Sequence, residues 1–280
     1  MRDNSAIFDA AEVTKEDPKV AVIPKEVLQR NKRIYTFLAD LPSEGKMYPE
    51  GHPLRDKTKI ELKQMTAKEE NILASVDFVE AGIEIQKLLE SVILIPELDA
   101  NTIVSIDRQS MIYGLRVNAF GKGYGNSDVR CPECGSKLKK MQVPDFVKPS
   151  AELPDGVNIS SAPDGCFYVI SPSKRKVKLK PLTLPEERAI FKKSMVNGKF
   201  TSLVLPFLEA TVSEVDGDSD TEELKEIIEN LRSVDTRFLM DIYGKIFPSV
   251  KLSVKVECTS CDMSEEVEVP LDAGFFWNIN

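Results

Sequence analysis

Two Cys-x-x-Cys pairs, Cys131-Pro-Glu-Cys134 and Cys258-Thr-Ser-Cys261, constrain this chain more than any other feature. Together they supply four thiolates, the set that closes a tetrahedron around a zinc ion. The two-residue spacing lets both sulfurs of one turn face the same point. Gly135 follows the first pair, where a residue without a side chain lets backbone N–H groups approach the sulfurs. The 123 residues between the pairs (positions 135 to 257) far exceed the ~15–20 of a compact zinc ribbon. A shared metal therefore requires two distant segments to fold back on one another. A site made wholly of cysteine leaves no coordination position for water, so such a zinc is structural. Metal-free pairs and a redox pair are the competing readings. Redox pairs sit at helix N-termini in βαβ units, whereas these sit between predicted strands. An iron–sulfur centre also fits four cysteines, but zinc is the expectation. The fifth cysteine, Cys166, has no near partner in sequence and is expected to be reduced and partly buried.

Internal self-similarity explains the long gap. Lys59-Ile-Glu-Leu-Lys-Gln-Met-Thr-Ala-Lys-Glu-Glu70 aligns without a gap with Lys176-Val-Lys-Leu-Lys-Pro-Leu-Thr-Leu-Pro-Glu-Glu187. Each copy begins with strand-like alternation (Ile60, Leu62; Val177, Leu179) and continues into a capping box, Thr66 with Glu69 and Thr183 with Glu186. Pro185 falls in the first helical turn, where its missing N–H costs nothing. Ser105-Ile-Asp107 matches Ser233-Val-Asp235, and each copy ends in a strand, a Cys-x-x-Cys turn and a second strand. Apolar spacing predicts one helix from about Thr66 to Ile95 and a second from Ser105 to Val117. In the second copy it predicts a stripe from Asp220 to about Phe247. The expected fold class is α+β, with two related strand–helix–helix–CxxC-hairpin copies joined by a zinc-ribbon-like site of four cysteines. Residues 1–32 read as a flexible or partner-ordered arm and 33–147 as the first copy, with its knuckle at 131–134. Residues 148–173 read as a Pro- and Gly-containing linker, and 174–280 as the second copy, with its knuckle at 258–261.

Composition removes several function classes. A net charge of -8 argues against a duplex-binding protein, which displaces counterions with a basic face. The most basic stretch, Lys174-Arg-Lys-Val-Lys-Leu-Lys180, alternates with Val177 and Leu179 and reads as the solvated face of a strand. No apolar run approaches the ~20 residues that span a bilayer, and the first ten residues lack a signal-peptide layout. These features predict a cytosolic protein. The single histidine, His52, lies in a turn-like segment. There is no Gly-rich phosphate loop, HExxH or serine elbow, and the expectation is a protein without catalytic activity. The acidic run from Glu214 to Asp220 lacks calcium-loop spacing and reads as a solvated turn. Candidate partner-binding residues are Leu41 and Tyr48, which bound a Gly45 turn, and Phe275, Phe276 and Trp277 near the C-terminus. The alternative for the aromatic segment is packing on the protein's own core.

The succession Leu41-Pro-Ser-Glu-Gly-Lys-Met-Tyr48, Ile60-Glu-Leu62, Thr66 to Leu73, Ser105-Ile-Asp107, Leu115-Arg116, Tyr124 and Cys131-Pro-Glu-Cys134 resembles the T4-type bacteriophage baseplate hub assembly proteins. Arg33 to Phe146 carry the resemblance. It implies a role in building the central hub of a contractile phage tail, in the host cytoplasm or in the virion baseplate, with other tail or hub proteins as partners. A chaperone-like assembly factor is the leading expectation. A permanent hub subunit and a zinc-ribbon nucleic-acid-binding protein are the alternatives.

Overall fold

The computed structural model describes residues 35–124, 130–138, 141–147, 149, 157–196, 199–250, 252–269 and 271–277. The expected arm, residues 1–32, lies outside the described residues, as does part of the expected linker.

The chain opens on an antiparallel hairpin of β1 (Thr36–Asp40) and β2 (Lys59–Lys63), in register from Thr36↔Lys63 to Asp40↔Lys59. Alternation sends Ile60 and Leu62 into the core and leaves Lys59 and Glu61 in solvent. The turn between the strands needs Gly45, whose φ is 70°. A Cβ there would lie 2.4 Å from both the Asp56 nitrogen and the Leu54 oxygen.

Three short helices follow: α1 (Ala67–Leu73), α2 (Val76–Ala81) and α3 (Glu84–Val92). This corrects the expected continuous helix from Thr66 to Ile95. Ser75 is extended, with ψ at 116°, and breaks the first junction. Gly82 is left-handed at φ 65°, and the Ile83 N–H reaches the Phe78 carbonyl at 2.9 Å, which ends α2 as a glycine C-cap. The predicted apolar stripe is split accordingly. Ile85, Leu88, Leu89 and Val92 of α3 are buried, while Val76 and Val79 of α2 are exposed. Next comes α4 (Ser105–Phe120), which buries Ile106, Met111, Ile112 and Leu115.

The second half is built on a four-stranded antiparallel sheet ordered β10-β7-β6-β5, comprising β5 (Ile159–Ser161), β6 (Phe167–Ile170), β7 (Lys176–Leu179) and β10 (Val212–Val215). The segment with linker-like composition thus contributes two strands to this sheet. Val177 and Leu179 are fully buried. The lysines that alternate with them are engaged: Lys178 pairs with Asp164 at 2.6 Å and Lys180 with Glu186 at 3.0 Å, and Lys176 sits over the Tyr168 ring. Helices α5 (Leu184–Ser194), α6 (Val204–Thr211), α7 (Thr221–Glu229) and α8 (Ser233–Ile246) complete this half. The expected stripe from Asp220 to Phe247 is two helices, broken at 230–232. Strands β8 (Met195–Val196) and β9 (Lys199–Phe200) form a small hairpin between α5 and α6.

Both halves hold one turn with a buried aspartate. Asp107 accepts the Ser43 N–H at 2.9 Å, the Ser43 hydroxyl at 2.5 Å and the Tyr48 hydroxyl at 2.8 Å. Asp235 accepts the Ser173 N–H at 2.9 Å. Each serine follows a proline and precedes a residue with positive φ, Glu44 at 53° and Lys174 at 66°. Both aspartates are buried with their acceptors filled by donors, the condition under which a buried carboxylate is tolerated.

The core of the first half is not made by that half alone. Leu62, Leu88, Met111 and Leu115 pack in one cluster with Leu252, Val254, Val269, Phe275 and Phe276. These come from β11 (Leu252–Glu257), β12 (Ser264–Val269) and the C-terminal turn of helix α9 (Gly274–Trp277). A second cluster, including Val177, Leu208, Ile228 and Leu239, lies wholly within the second half. Polar bonds also cross the seam. Arg108 pairs with Glu187, Arg188 reaches the Gln86 oxygen at 2.8 Å, and the Ser105 N–H donates to the Leu182 carbonyl at 2.8 Å.

Candidate metal centre

The two Cys-x-x-Cys turns share one closing bond. The Cys131 N–H donates to the Ser136 carbonyl at 2.8 Å, and the Cys258 N–H donates to the Met263 carbonyl at 3.0 Å. In each turn a bond from the first cysteine to the residue five places on folds the loop, which turns both sulfurs to one side. The first turn is framed by β3 (Gly123–Tyr124) paired with β4 (Met141–Gln142), and by a bridge between Arg130 and Lys137. The second is framed by the β11–β12 hairpin, paired without interruption from Leu252↔Val269 to Glu257↔Ser264.

Arg116, on α4, brings the frames together. Its side chain is fully buried. It donates from Nε to the Phe275 carbonyl at 3.1 Å, and from its terminal nitrogens to the Gly121 carbonyl at 2.6 Å and the Gly123 carbonyl at 2.5 Å. One guanidinium thereby ties the start of β3 to the C-terminal helix that follows β12. Its carbon also lies 5.4 Å and 5.7 Å from the Phe120 and Phe275 ring centroids, so the charge is held by three carbonyl dipoles and two ring faces.

The result is a cluster of four sulfurs all within 4.8 Å of one another. Sulfurs from different turns approach closely, Cys131 to Cys261 at 3.6 Å and Cys134 to Cys258 at 3.5 Å. A tetrahedron with metal–sulfur bonds of about 2.3 Å has edges of about 3.8 Å. A disulfide needs about 2.05 Å. The four residues therefore fit one tetrahedral ion, and all are free thiols. Cys134 is pulled down to about 6, first by the Ser136 hydroxyl and amide and then by Cys258. Cys261 is pushed up to about 12: the Met263 amide favours its thiolate, but burial and the three neighbouring sulfurs outweigh it. Such a cluster releases one proton readily and its last only against accumulated negative charge, which a dication relieves. Cys166 stands apart from this group, and its thiol is pushed up to about 12, chiefly by burial and then by Asp164. Among the described residues no other set of three or more His, Cys, Asp or Glu side chains converges in this way.

The expected partner-binding residues fare differently. Leu41, Tyr48, Phe275 and Phe276 are all buried in the first core. Their expected surface role is corrected by packing: Tyr48 gives its hydroxyl to Asp107, and the Phe275 ring lies 6.1 Å from that of Tyr124. Trp277 alone keeps an exposed ring, at 45%. His52 stacks on Tyr48 with ring centroids 4.3 Å apart and bonds Thr102 at 2.9 Å, so it belongs to the turn. Arg116 and the paired roles of Asp107 and Asp235 were not read from sequence. The repeated Pro-Ser at 42–43 and 172–173, upstream of each Ser-x-Asp, is the signal that points to the aspartates. No sequence signal marks Arg116 as buried.

No described helix is long and apolar enough to cross a membrane. Residues 32–277 match the family model described as T4 bacteriophage base plate protein. Among curated proteins and among solved structures, nothing matches the chain.

Proposed function

Because the chain belongs to the T4 bacteriophage base plate protein family, we propose that it is a hub assembly factor that acts by protein–protein binding and is stabilised by one structural zinc. The family match, which covers both halves and both cysteine turns, carries the reading. Four cysteines at tetrahedral spacing support zinc, since soft thiolate sets of this geometry select zinc or iron. Zinc supplies charge neutralisation and a crosslink here, with no open position for chemistry. Cys131 and Cys134 would hold it from the first half, and Cys258 and Cys261 from the second.

The description of the chain as two related copies is part of this proposal. Supporting it are the two capping boxes, the two Pro-Ser turns clasped by Asp107 and Asp235, and the two cysteine turns closed by the same bond. A nucleic-acid role is disfavoured because Lys178 and Lys180 are engaged by carboxylates. The single histidine is committed to its turn, which supports a non-enzymatic role.

Two measurements test the proposal. Elemental analysis of the reduced protein should find one zinc per chain; iron would replace zinc in the reading, and no metal would end it. Purification of the protein from infected cells should bring down tail or hub proteins, while purified particles should lack it. The family's description also fits a permanent base plate subunit, and stoichiometric recovery from particles would select that reading over an assembly factor.

A further inference from the structure

A cavity of about 660 Å³ lies on the seam between the two halves. Met47, Val104 and Gln109 line it from the first half, and Phe207, Met240 and Tyr243 from the second. That volume falls within the range of sites that enclose a small organic ligand. Among the lining residues, Val104 and Tyr243 are buried and form the floor, while Leu203, Gly244 and Ser249 are exposed and mark the mouth.

The wall is aromatic and apolar. The Phe207 and Phe247 rings pack against the Tyr243 ring, with centroids 5.0 Å and 4.8 Å away. Met47 and Met240 add thioethers, which adapt to aromatic shapes. Among the described residues that line the cavity, Glu187 alone carries a charge, and the buried Arg108 is paired with it. The wall therefore has no net charge to offer. An ionic ligand would leave water without a counter-charge, which is costly, so the wall selects a neutral one.

One polar group on the floor has hydrogen-bonding capacity to spare. Tyr243 is 6% exposed, and its hydroxyl oxygen accepts the Leu182 N–H at 2.9 Å. Its own proton goes to no acceptor among the described residues. Burial raises this phenol well above its ordinary range, so the proton stays in place at any working pH. A buried donor gains most from an acceptor that arrives with a ligand. Gln109 is arranged in the same sense: its amide oxygen takes the Val250 N–H at 3.0 Å, which leaves the NH₂ group as donor.

Gly244 shapes the mouth. It lies inside α8, where glycine weakens a helix relative to alanine. A Cβ at this position would meet nothing within 4 Å. The missing side chain thus leaves room on the cavity wall that packing does not require.

We propose that this cavity is a binding site for a neutral aromatic small molecule with one hydrogen-bond acceptor, which takes the proton of the Tyr243 hydroxyl. Because both halves line the site, the ligand stabilises the seam. The site uses none of the four cysteines and does not depend on a role in hub assembly, so it stands or falls separately from both.

Benzophenone, with two rings and one carbonyl, is the probe. Titration of the full chain should show one saturable site with a dissociation constant on the order of 0.1 mM, as expected for a ligand of this size, and binding should raise Tm. The hydrocarbon analogue in which a methylene group replaces the carbonyl oxygen should bind about five- to tenfold more weakly, having no acceptor for the phenol. Tyr243→Phe should bring the two ligands to equal affinity. Gly244→Leu should weaken both more than about tenfold without lowering Tm, since the added side chain enters open space and leucine is the better helix former. Ultraviolet irradiation of the complex should place the benzophenone label on Met47 or Met240. If Tyr243→Phe does not fold, Gly244→Leu and the labelling carry the test. Absence of saturable binding, equal affinity of the wild type for both ligands, binding that survives Gly244→Leu, or a label outside the cavity would each overturn the proposal.

Discussion

Replacing Glu69 by glutamine tests the link between the capping box and the first core. Glu69 is fully buried. One carboxylate oxygen takes the Thr66 N–H at 2.9 Å and the Thr66 hydroxyl at 2.6 Å, while the other takes the Lys63 ammonium at 2.7 Å and the Ser91 hydroxyl at 2.6 Å. These donors tie α1 to β2 and to α3. Burial alone would raise this carboxyl, but the bonds from Lys63, Ser91 and Thr66 outweigh it and hold it at about 2, against an ordinary 4.5. Each unit corresponds to ~1.4 kcal/mol, so the charged form stabilises the fold by on the order of 3 kcal/mol. Because the pKa is depressed on folding, that stability is present above about 4.5 and is lost as pH falls toward 2. Glutamine cannot carry the charge and sets an NH₂ against donors. Glu69→Gln should therefore cost about 3 kcal/mol at neutral pH, a fall of roughly 6–12 °C in Tm for a chain of this size. The gap between wild type and variant should shrink to under about 1 kcal/mol near pH 2, where the folded carboxyl is about half protonated and most of its advantage over the unfolded state is gone. Urea unfolding of both proteins across that pH range measures it. Glu186, in the matching box of the second half, supplies the control. It is held down in the same direction: burial again opposes, and Thr183 and Lys180 win. Its side chain is 25% exposed, so Glu186→Gln should cost only on the order of 1 kcal/mol. A neutral-pH penalty for Glu69→Gln below about 1 kcal/mol, or one that does not vary with pH, would refute the reasoning.

Three further outcomes are expected. Cys134→Ser or Cys258→Ser should abolish metal binding in elemental analysis and lower stability by on the order of 5 kcal/mol, the scale of a crosslink closing more than a hundred residues; a strong chelator should do the same to the wild type, more readily in acid, where protons compete for the thiolates. Phe276→Ala should cost about 3–5 kcal/mol in denaturant unfolding, whereas Trp277→Ala should stay within ~0.5 kcal/mol at dilute concentration, since one ring is core and the other is not. In metal-stripped protein at mildly alkaline pH, mass spectrometry after timed alkylation should find Cys134 modified well before Cys166, whose thiol burial pushes up to about 12.

Much of the candidate site was legible because it is written in local spacing. Cys-x-x-Cys fixes which sulfurs share a turn, Thr-x-x-Glu fixes a helix start, and alternation at Lys176 to Leu179 fixes which side chains leave the core. Each depends on residues within a turn or a strand of one another, whose geometry the backbone dictates. Local spacing misled where one pattern serves two structures: the apolar recurrence from Ile72 to Val92 suits a single helix, yet the extended Ser75 and left-handed Gly82 break it into three and leave Val76 and Val79 in solvent.

The sequence by itself determined that four cysteines belong in two turns and that similar elements recur on either side of the middle. Only the tertiary structure decided that the turns meet, that Phe275 and Phe276 lie in the core of the first half while Trp277 faces outward, and that Arg116 is the buried tie between them. Those outcomes rest on contacts between residues more than a hundred positions apart. Burial there is set by what the returning chain covers, a quantity no local period encodes.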